Sequence, residues 1–199
     1  ELTAEKEQIA QQLTDLKTQK IKLEKENKEI NDALEKFTKD GDNYEKLMKD
    51  LNLNSYRFSI EWSRIEKNMN EIDYKELEYY DDLIDNCIEN GIDLMITLFH
   101  WTIPKWFDEL GGFEKEDNNK YFINFAKFIY NRYYRKIKRW CITNEIVNYC
   151  NASYYIGIFP PNKKDISLCF KVYWNILECQ VKIYYELISL VIIIRTISK

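Results

Sequence analysis

Along residues 1 to 37, apolar side chains return at every seventh position: Leu2, Ile9, Leu16, Leu23, Ile30 and Phe37. Lys6, Leu13, Lys20, Asn27 and Leu34 fall four residues after each of the first five, which completes the a/d seam of a heptad repeat. The stretch holds no Gly and no Pro, so the pattern predicts a long coiled-coil helix over residues 1–40. Three of the five a positions carry Lys or Asn, which weakens the seam and favours a register-fixed homodimer over larger assemblies. The alternative is a solvated helix lying on the domain that follows. "TKDGDN" at 38–43 marks the boundary, and a second domain is expected over 41–199.

Beyond that boundary the period changes. "SYRFSIEW" at 55–62 puts Tyr56, Phe58, Ile60 and Trp62 on one face and Arg57, Ser59 and Glu61 on the other, which predicts a strand. In 73–91, Leu77, Tyr80, Leu83, Ile84, Cys87 and Ile88 share a helical stripe that stops at Gly91. "IDLMITLFHW" at 92–101 reads as a strand covered on both sides. A helix is expected through Phe122, Phe125, Ala126, Ile129 and Tyr133, then a strand in "KIKRWCIT" and a helix from about Asp165 to Ile188. "LVIII" at 190–194 is expected as one more strand. Strands and helices alternating in this way predict an α/β fold of parallel βαβ units. No G-x-G-x-x-G or Walker-type loop follows any strand, which argues against a nucleotide-binding sheet and for part of a barrel.

Composition narrows the function. In 199 residues the formal charge is −4 and no long run of like charge occurs, so nucleic acid is not an expected partner. Five cysteines form no C-x-x-C pair and a single histidine is present, so neither a metal site nor a cofactor is expected. The cysteines read as reduced, mostly buried thiols of a cytoplasmic chain. The N-terminus shows no signal sequence, and the apolar run "LISLVIII" is shorter than the roughly 20 residues of a membrane helix, so no membrane attachment is expected. Asn151-Ala152-Ser153 fits a glycosylation sequon but reads as a chance triplet.

Polar and aromatic residues gather just after the expected strand ends, as His100-Trp101 and Asn144-Glu145, where parallel barrels build active sites. Here "YRFSIEWSRI", "LFHWTIPKWFDELGGF", "WCITNEI" and "YYIGIFPP" occur in the order and spacing of glycoside hydrolase family 1, and residues 43 to 186 resemble that β-glucosidase-like family. The resemblance implies a partial (β/α)8 barrel, with about four strands of the eight a closed barrel needs. It implies retaining hydrolysis of β-glucosides or 6-phospho-β-glucosides, with Glu145 as the acid/base catalyst. Asn144 would meet the sugar 2-hydroxyl, His100 a further hydroxyl, and Trp101 would line the sugar site. Arg57 resembles the arginine that sits under the nucleophile and keeps it ionised. The remaining tryptophans, Trp62, Trp106, Trp140 and Trp174, read as packing.

The sequence departs from the family pattern at several positions. Ile142 occupies a threonine position, Ile146 a proline position, Trp174 a histidine position and Asn162 a glycine position. No Thr-Glu-Asn-Gly segment, the family's nucleophile motif, occurs in the chain. The expectation is a fragment of a retaining β-glycosidase that is inactive alone. The alternative is a coiled-coil interaction protein carrying a non-catalytic barrel remnant. Because a regular strand points neighbouring residues to opposite sides, Asn144 and Glu145 can face one sugar only if their strand ends or bulges there.

Overall fold

The computed structural model describes residues 12–29, 48–49 and 51–197. Contacts divide the chain into two units, Glu1–Leu51 and Asn52–Lys199. In the first, residues 12–29 form a helix, α1. Lys20–Glu24, Lys22–Glu26 and Lys25–Glu29 pair along its surface at 3.7 to 3.8 Å, each adding a few tenths of a kcal/mol. Leu13, Leu16 and Leu23 of the heptad seam are exposed on it. Leu2, Lys6, Ile9, Ile30, Leu34, Phe37 and the "TKDGDN" boundary lie outside the described residues.

The second unit is built on a parallel sheet of three strands, β1 (Ser55–Ser59), β2 (Asp93–Phe99) and β3 (Arg139–Thr143), in the order β1-β2-β3. Ser55 to Ser59 pair with Asp93 to Thr97, and Met95 to Phe99 run beside Arg139 to Thr143. The parallel architecture is therefore the one the alternation predicts. Leu94, Ile96, Thr97, Leu98 and Phe99 are all buried, as expected of a strand covered on both faces.

Two helices, α2 (Trp62–Ile65) and α3 (Tyr74–Glu89), join β1 to β2. Asp73 caps α3 by accepting from the backbone N–H groups of Lys75 and Glu76, and the chain leaves the helix through Gly91 at φ +74°. Leu77, Tyr80, Ile84 and Cys87 face inward, whereas Leu83 is half-buried and Ile88 exposed, so the buried stripe is narrower than the sequence suggests. Between β2 and β3 lie α4 (Lys105–Glu109), two short 3₁₀ turns and α5 (Asn119–Tyr133). Phe122, Phe125, Ala126, Ile129 and Tyr133 of α5 are all buried. Trp62 sits among Phe107, Phe122 and Phe125 with ring centroids 4.9 to 5.8 Å away, and its indole N–H donates to the buried Glu66 carboxylate at 2.7 Å. After β3 come α6 (Ile146–Cys150), a π-helical turn (Asn151–Tyr155) and α7 (Ile166–Ile197).

Three expectations need correction. "LVIII" is not a fourth strand: it continues α7, so the described residues contain three strands. A short apolar run fits either period, and the helix already propagating from Ile166 decides between them. β1 stops at Ser59 rather than running to Trp62, because the Glu61 side chain accepts from the Ser63 N–H and starts α2. Trp174 is not packed but 64% exposed on α7. All five cysteines are free, and only Cys141 is not buried. Among the described residues no helix is long and apolar enough to cross a membrane.

Candidate active site

The three parallel strands end at one edge, and the polar residues just inside or beyond those ends meet there. On β1, Arg57 and Ser59 share the polar face; β2 is followed by His100 and Trp101, and β3 by Asn144 and Glu145. Asn144 is held in line with the sheet by one further ladder bond, from its N–H to the Phe99 carbonyl at 2.9 Å.

Four side chains form a continuous hydrogen-bonded row. Arg57 Nε donates to Thr97 Oγ1 at 2.9 Å, and Arg57 Nη2 donates to Asn144 Oδ1 at 2.6 Å and to Cys141 Sγ at 3.4 Å. Asn144 Nδ2 lies 3.0 Å from His100 Nε2, and His100 Nδ1 lies 2.8 Å from Ser59 Oγ. Thr97 is fully buried, and its hydroxyl is satisfied by the guanidinium, which anchors the row to the middle strand. Trp101 joins through its indole N–H, which donates to the Asn144 carbonyl at 3.1 Å, while its ring packs on Tyr149 and Phe159. Nearby, Thr102 donates to the Glu61 carboxylate, tying the loop after β2 to the start of α2.

Two residues carry unusual backbone. Trp101 has φ +77° and Glu145 has φ +48°, both in the left-handed region that bulky or branched-out side chains rarely adopt. For an L-residue this costs on the order of 1–2 kcal/mol each, and such strain persists where the surroundings over-determine it. The consequence for β3 is direct: the strand ends at Thr143, and the turn at Glu145 removes the alternation that would send Asn144 and Glu145 to opposite sides. Glu145 then caps α6, with its carbonyl accepting from the Tyr149 N–H, and its exposed carboxylate accepts from Asn148 Nδ2 at 3.3 Å.

Of the residues singled out from sequence, Arg57, His100, Trp101 and Asn144 are thus joined directly, and Glu145 follows Asn144 on the same loop. Ser59, Thr97, Cys141 and the Glu61–Thr102 contact were not singled out. The alternation of β1 held a signal for one of them, since Ser59 shares the polar face with Arg57.

A crevice of about 310 Å³ opens beside Trp101, lined by Thr102, Lys105, Asp108, Tyr149 and Phe159 among others. Tyr149 is buried in its wall, and that burial pushes its phenol well above the ordinary tyrosine range.

The chain is similar to known proteins in sequence and in fold. The chain is 36% identical over 118 residues to Myrosinase 1 of Brevicoryne brassicae, covering 58% of this chain and 25% of the relative. It is 33% identical over 118 residues to the cytosolic beta-glucosidase of Homo sapiens, covering 58% and 25% respectively. A solved beta-glycosidase from Pyrococcus horikoshii superposes with a TM-score of 0.69 at 34% identity, over 73% of this chain and 34% of that one. The match therefore spans a quarter to a third of the length of these relatives. The model of Glycosyl hydrolase family 1 matches residues 8–191, entering the N-terminal helical segment as well as the sheet unit, and by that match the chain belongs to glycosyl hydrolase family 1.

Proposed function

We propose that this chain carries the acid/base side of a retaining β-glycosidase site. The observation that supports this reading most is the row Arg57–Asn144–His100–Ser59 at the strand ends, with Glu145 immediately after Asn144. In that role Glu145 protonates the departing glycosidic oxygen. It then deprotonates the water that opens the glycosyl-enzyme. Asn144 Nδ2 and His100 Nε2 pair with each other at 3.0 Å, so a sugar hydroxyl reaches either group by displacing the other. Trp101 offers an apolar surface to a sugar ring, and Arg57 supplies the positive charge that favours an ionised nucleophile.

The substrate class is a β-glucoside or 6-phospho-β-glucoside. A retaining site also needs a second carboxylate about 5 Å from the acid, and no Thr-Glu-Asn-Gly segment is present in the sequence. The nucleophile must come from further polypeptide, and the chain alone is expected to be inactive. The five free thiols favour a reducing compartment such as the cytoplasm.

The test is a chimaera in which residues 52–187 replace the matching part of the Pyrococcus horikoshii beta-glycosidase. Turnover of aryl β-glucosides is expected. Glu145→Gln should slow substrates with basic leaving groups by about 10²- to 10⁴-fold and activated ones far less. Equal loss on every leaving group would remove Glu145 from the acid role.

A second reading is favoured by the exposed row Leu13, Leu16 and Leu23 on α1: a coiled-coil homodimer, with the sheet unit as a non-catalytic remnant. A peptide of residues 1–40 should then gain helicity with concentration. Helicity that does not change with concentration would support a solvated helix instead.

A further inference from the structure

We infer that Glu61 is a positioning residue for Trp101: from just beyond β1 it holds Thr102, and through Thr102 the left-handed turn that lays the Trp101 indole against the site. The glycosidase reading supplies the purpose of this device but not its test. Glu61 caps α2, its carboxylate accepting from the Ser63 N–H at 3.3 Å. Glutamate is not among the favoured capping residues, Ser, Thr, Asp and Asn, whose side chains are shorter. Here the longer side chain gives the carboxylate a second reach. The Thr102 hydroxyl lies 2.7 Å from Oε1 and 2.6 Å from Oε2, so its single proton is shared between the two oxygens. Oε1 also accepts from Ser63 Oγ at 2.7 Å.

Glu61 is the fixed end of this contact. The Ile60 N–H donates to the Thr97 carbonyl at 3.0 Å, which carries the ladder past β1, and the Glu61 N–H donates to the hydroxyl of the buried Tyr80 at 3.0 Å. Thr102, by contrast, is an exposed loop residue that directly follows Trp101 at φ +77°. A left-handed residue redirects the chain, and its strain persists only while the segments on both sides are held. Before Trp101 the chain is held by His100, through Ser59 and Asn144. After it the chain is held by the bond from Thr102 to a carboxylate, which belongs to the stronger, charge-assisted class. With both ends fixed, the indole N–H meets the Asn144 carbonyl at 3.1 Å. A Trp101 relaxed to an ordinary φ would aim its ring elsewhere and lose that bond. Ser63, Trp101 and Thr102 also line the crevice together, so the same tie sets one of its walls.

The five tryptophans give five indole N–H signals in uniformly ¹⁵N-labelled full-length protein, and Trp101→Phe and Trp62→Phe identify the two that matter. Thr102→Val removes the hydroxyl at nearly constant shape and leaves the Ser63 contact in place. Glu61→Asp keeps a favoured cap but shortens the reach to Thr102. Both should displace the Trp101 signal and remove its protection from solvent exchange, while the signal of Trp62, the first residue of α2, stays in place. Thr102→Ser, which keeps the hydroxyl, should keep the unmutated spectrum. A Trp101 signal unmoved by Thr102→Val or by Glu61→Asp overturns the inference, and so does a Thr102→Ser signal displaced as far as that of Thr102→Val. Displacement of Trp62 alone would leave Glu61 as a helix cap and nothing more. If Thr102→Val fails to fold, Glu61→Asp and Thr102→Ser still decide it. None of these readouts involves sugar or turnover, so failure of the glycosidase reading would show in the chimaera and leave the Trp101 result standing.

Discussion

Arg57 Nη2 lies 2.6 Å from Asn144 Oδ1 although the two residues belong to opposite edges of the sheet. The guanidinium crosses the middle strand, bonding Thr97 on the way, so one planar side chain clamps all three strand ends. Arg57→Met should remove this clamp and lower stability by about 1–2 kcal/mol, since hydrogen bonds from charged groups count for more than neutral ones. Arg57→Lys should not restore it, because an ammonium lacks the planar fork that reaches two acceptors at once. Urea unfolding followed by tryptophan fluorescence checks both, and all five tryptophans lie in the Asn52–Lys199 unit. Equal midpoints for Arg57→Met and the unmutated chain would mean the clamp contributes nothing.

Glu145 holds a left-handed backbone that asparagine tolerates far better. Glu145→Asn should therefore raise stability by up to about 1 kcal/mol while removing the carboxylic acid. The same unfolding assay measures it. A lowered midpoint would show that the carboxylate, with its contact to Asn148, outweighs the strain.

Asp81 on α3 is paired with Arg132 on α5, and the hydrogen bond from that guanidinium holds its carboxyl below the ordinary value. A carboxyl depressed in the folded state adds stability above its unfolded pKa of about 3.9, and that contribution is lost as pH falls through the folded value. Asp81→Asn should cost roughly 0.2–1 kcal/mol at pH 7, the range of part-exposed pairs. The deficit should stay constant down to about pH 5 and shrink below about pH 4, as the unmutated chain loses the same interaction. A deficit that persists unchanged at acid pH would assign the loss to packing instead.

Burial pushes the thiols of Cys150 and Cys179 up to about 12 and raises that of Cys169 as well, so little thiolate forms near neutrality. Cys87 is buried too. In native protein at pH 8, iodoacetamide should modify Cys141 first, with the other four reacting after denaturation. Peptide mass spectrometry after timed quenching gives the order. Early modification of Cys150 or Cys179 would contradict their burial.

The elements with a single clear period were legible in the sequence. α5 buries every residue its stripe named, and β2 is covered on both faces as its apolar run implies. Ambiguity arose where local pattern alone had to choose. The β-branched run at 190–194 has strand composition but continues a helix that begins more than twenty residues earlier, and Trp62 keeps strand alternation while Glu61 turns the chain. At the site, the strand-end residues carried a family pattern and could be named. Their partners could not, because Ser59 meets His100 and Arg57 meets Asn144 only through the register of parallel strands, which sequence spacing does not state. Helical character of the N-terminal segment was legible and is observed over 12–29.

The strand order β1-β2-β3 follows the order of the chain, and this bears on when the site comes into being during synthesis. Each strand docks beside the one made just before it, so no strand has to wait for a later one and each closure spans only the helical crossover between consecutive strands. Arg57 and Ser59 emerge first, His100 is placed when β2 pairs, and Asn144 completes the row when β3 arrives. A ribosome that has released little beyond residue 145 has already exposed every group of that row. The row from Arg57 to Ser59 can therefore be established on the nascent chain as soon as β3 has paired.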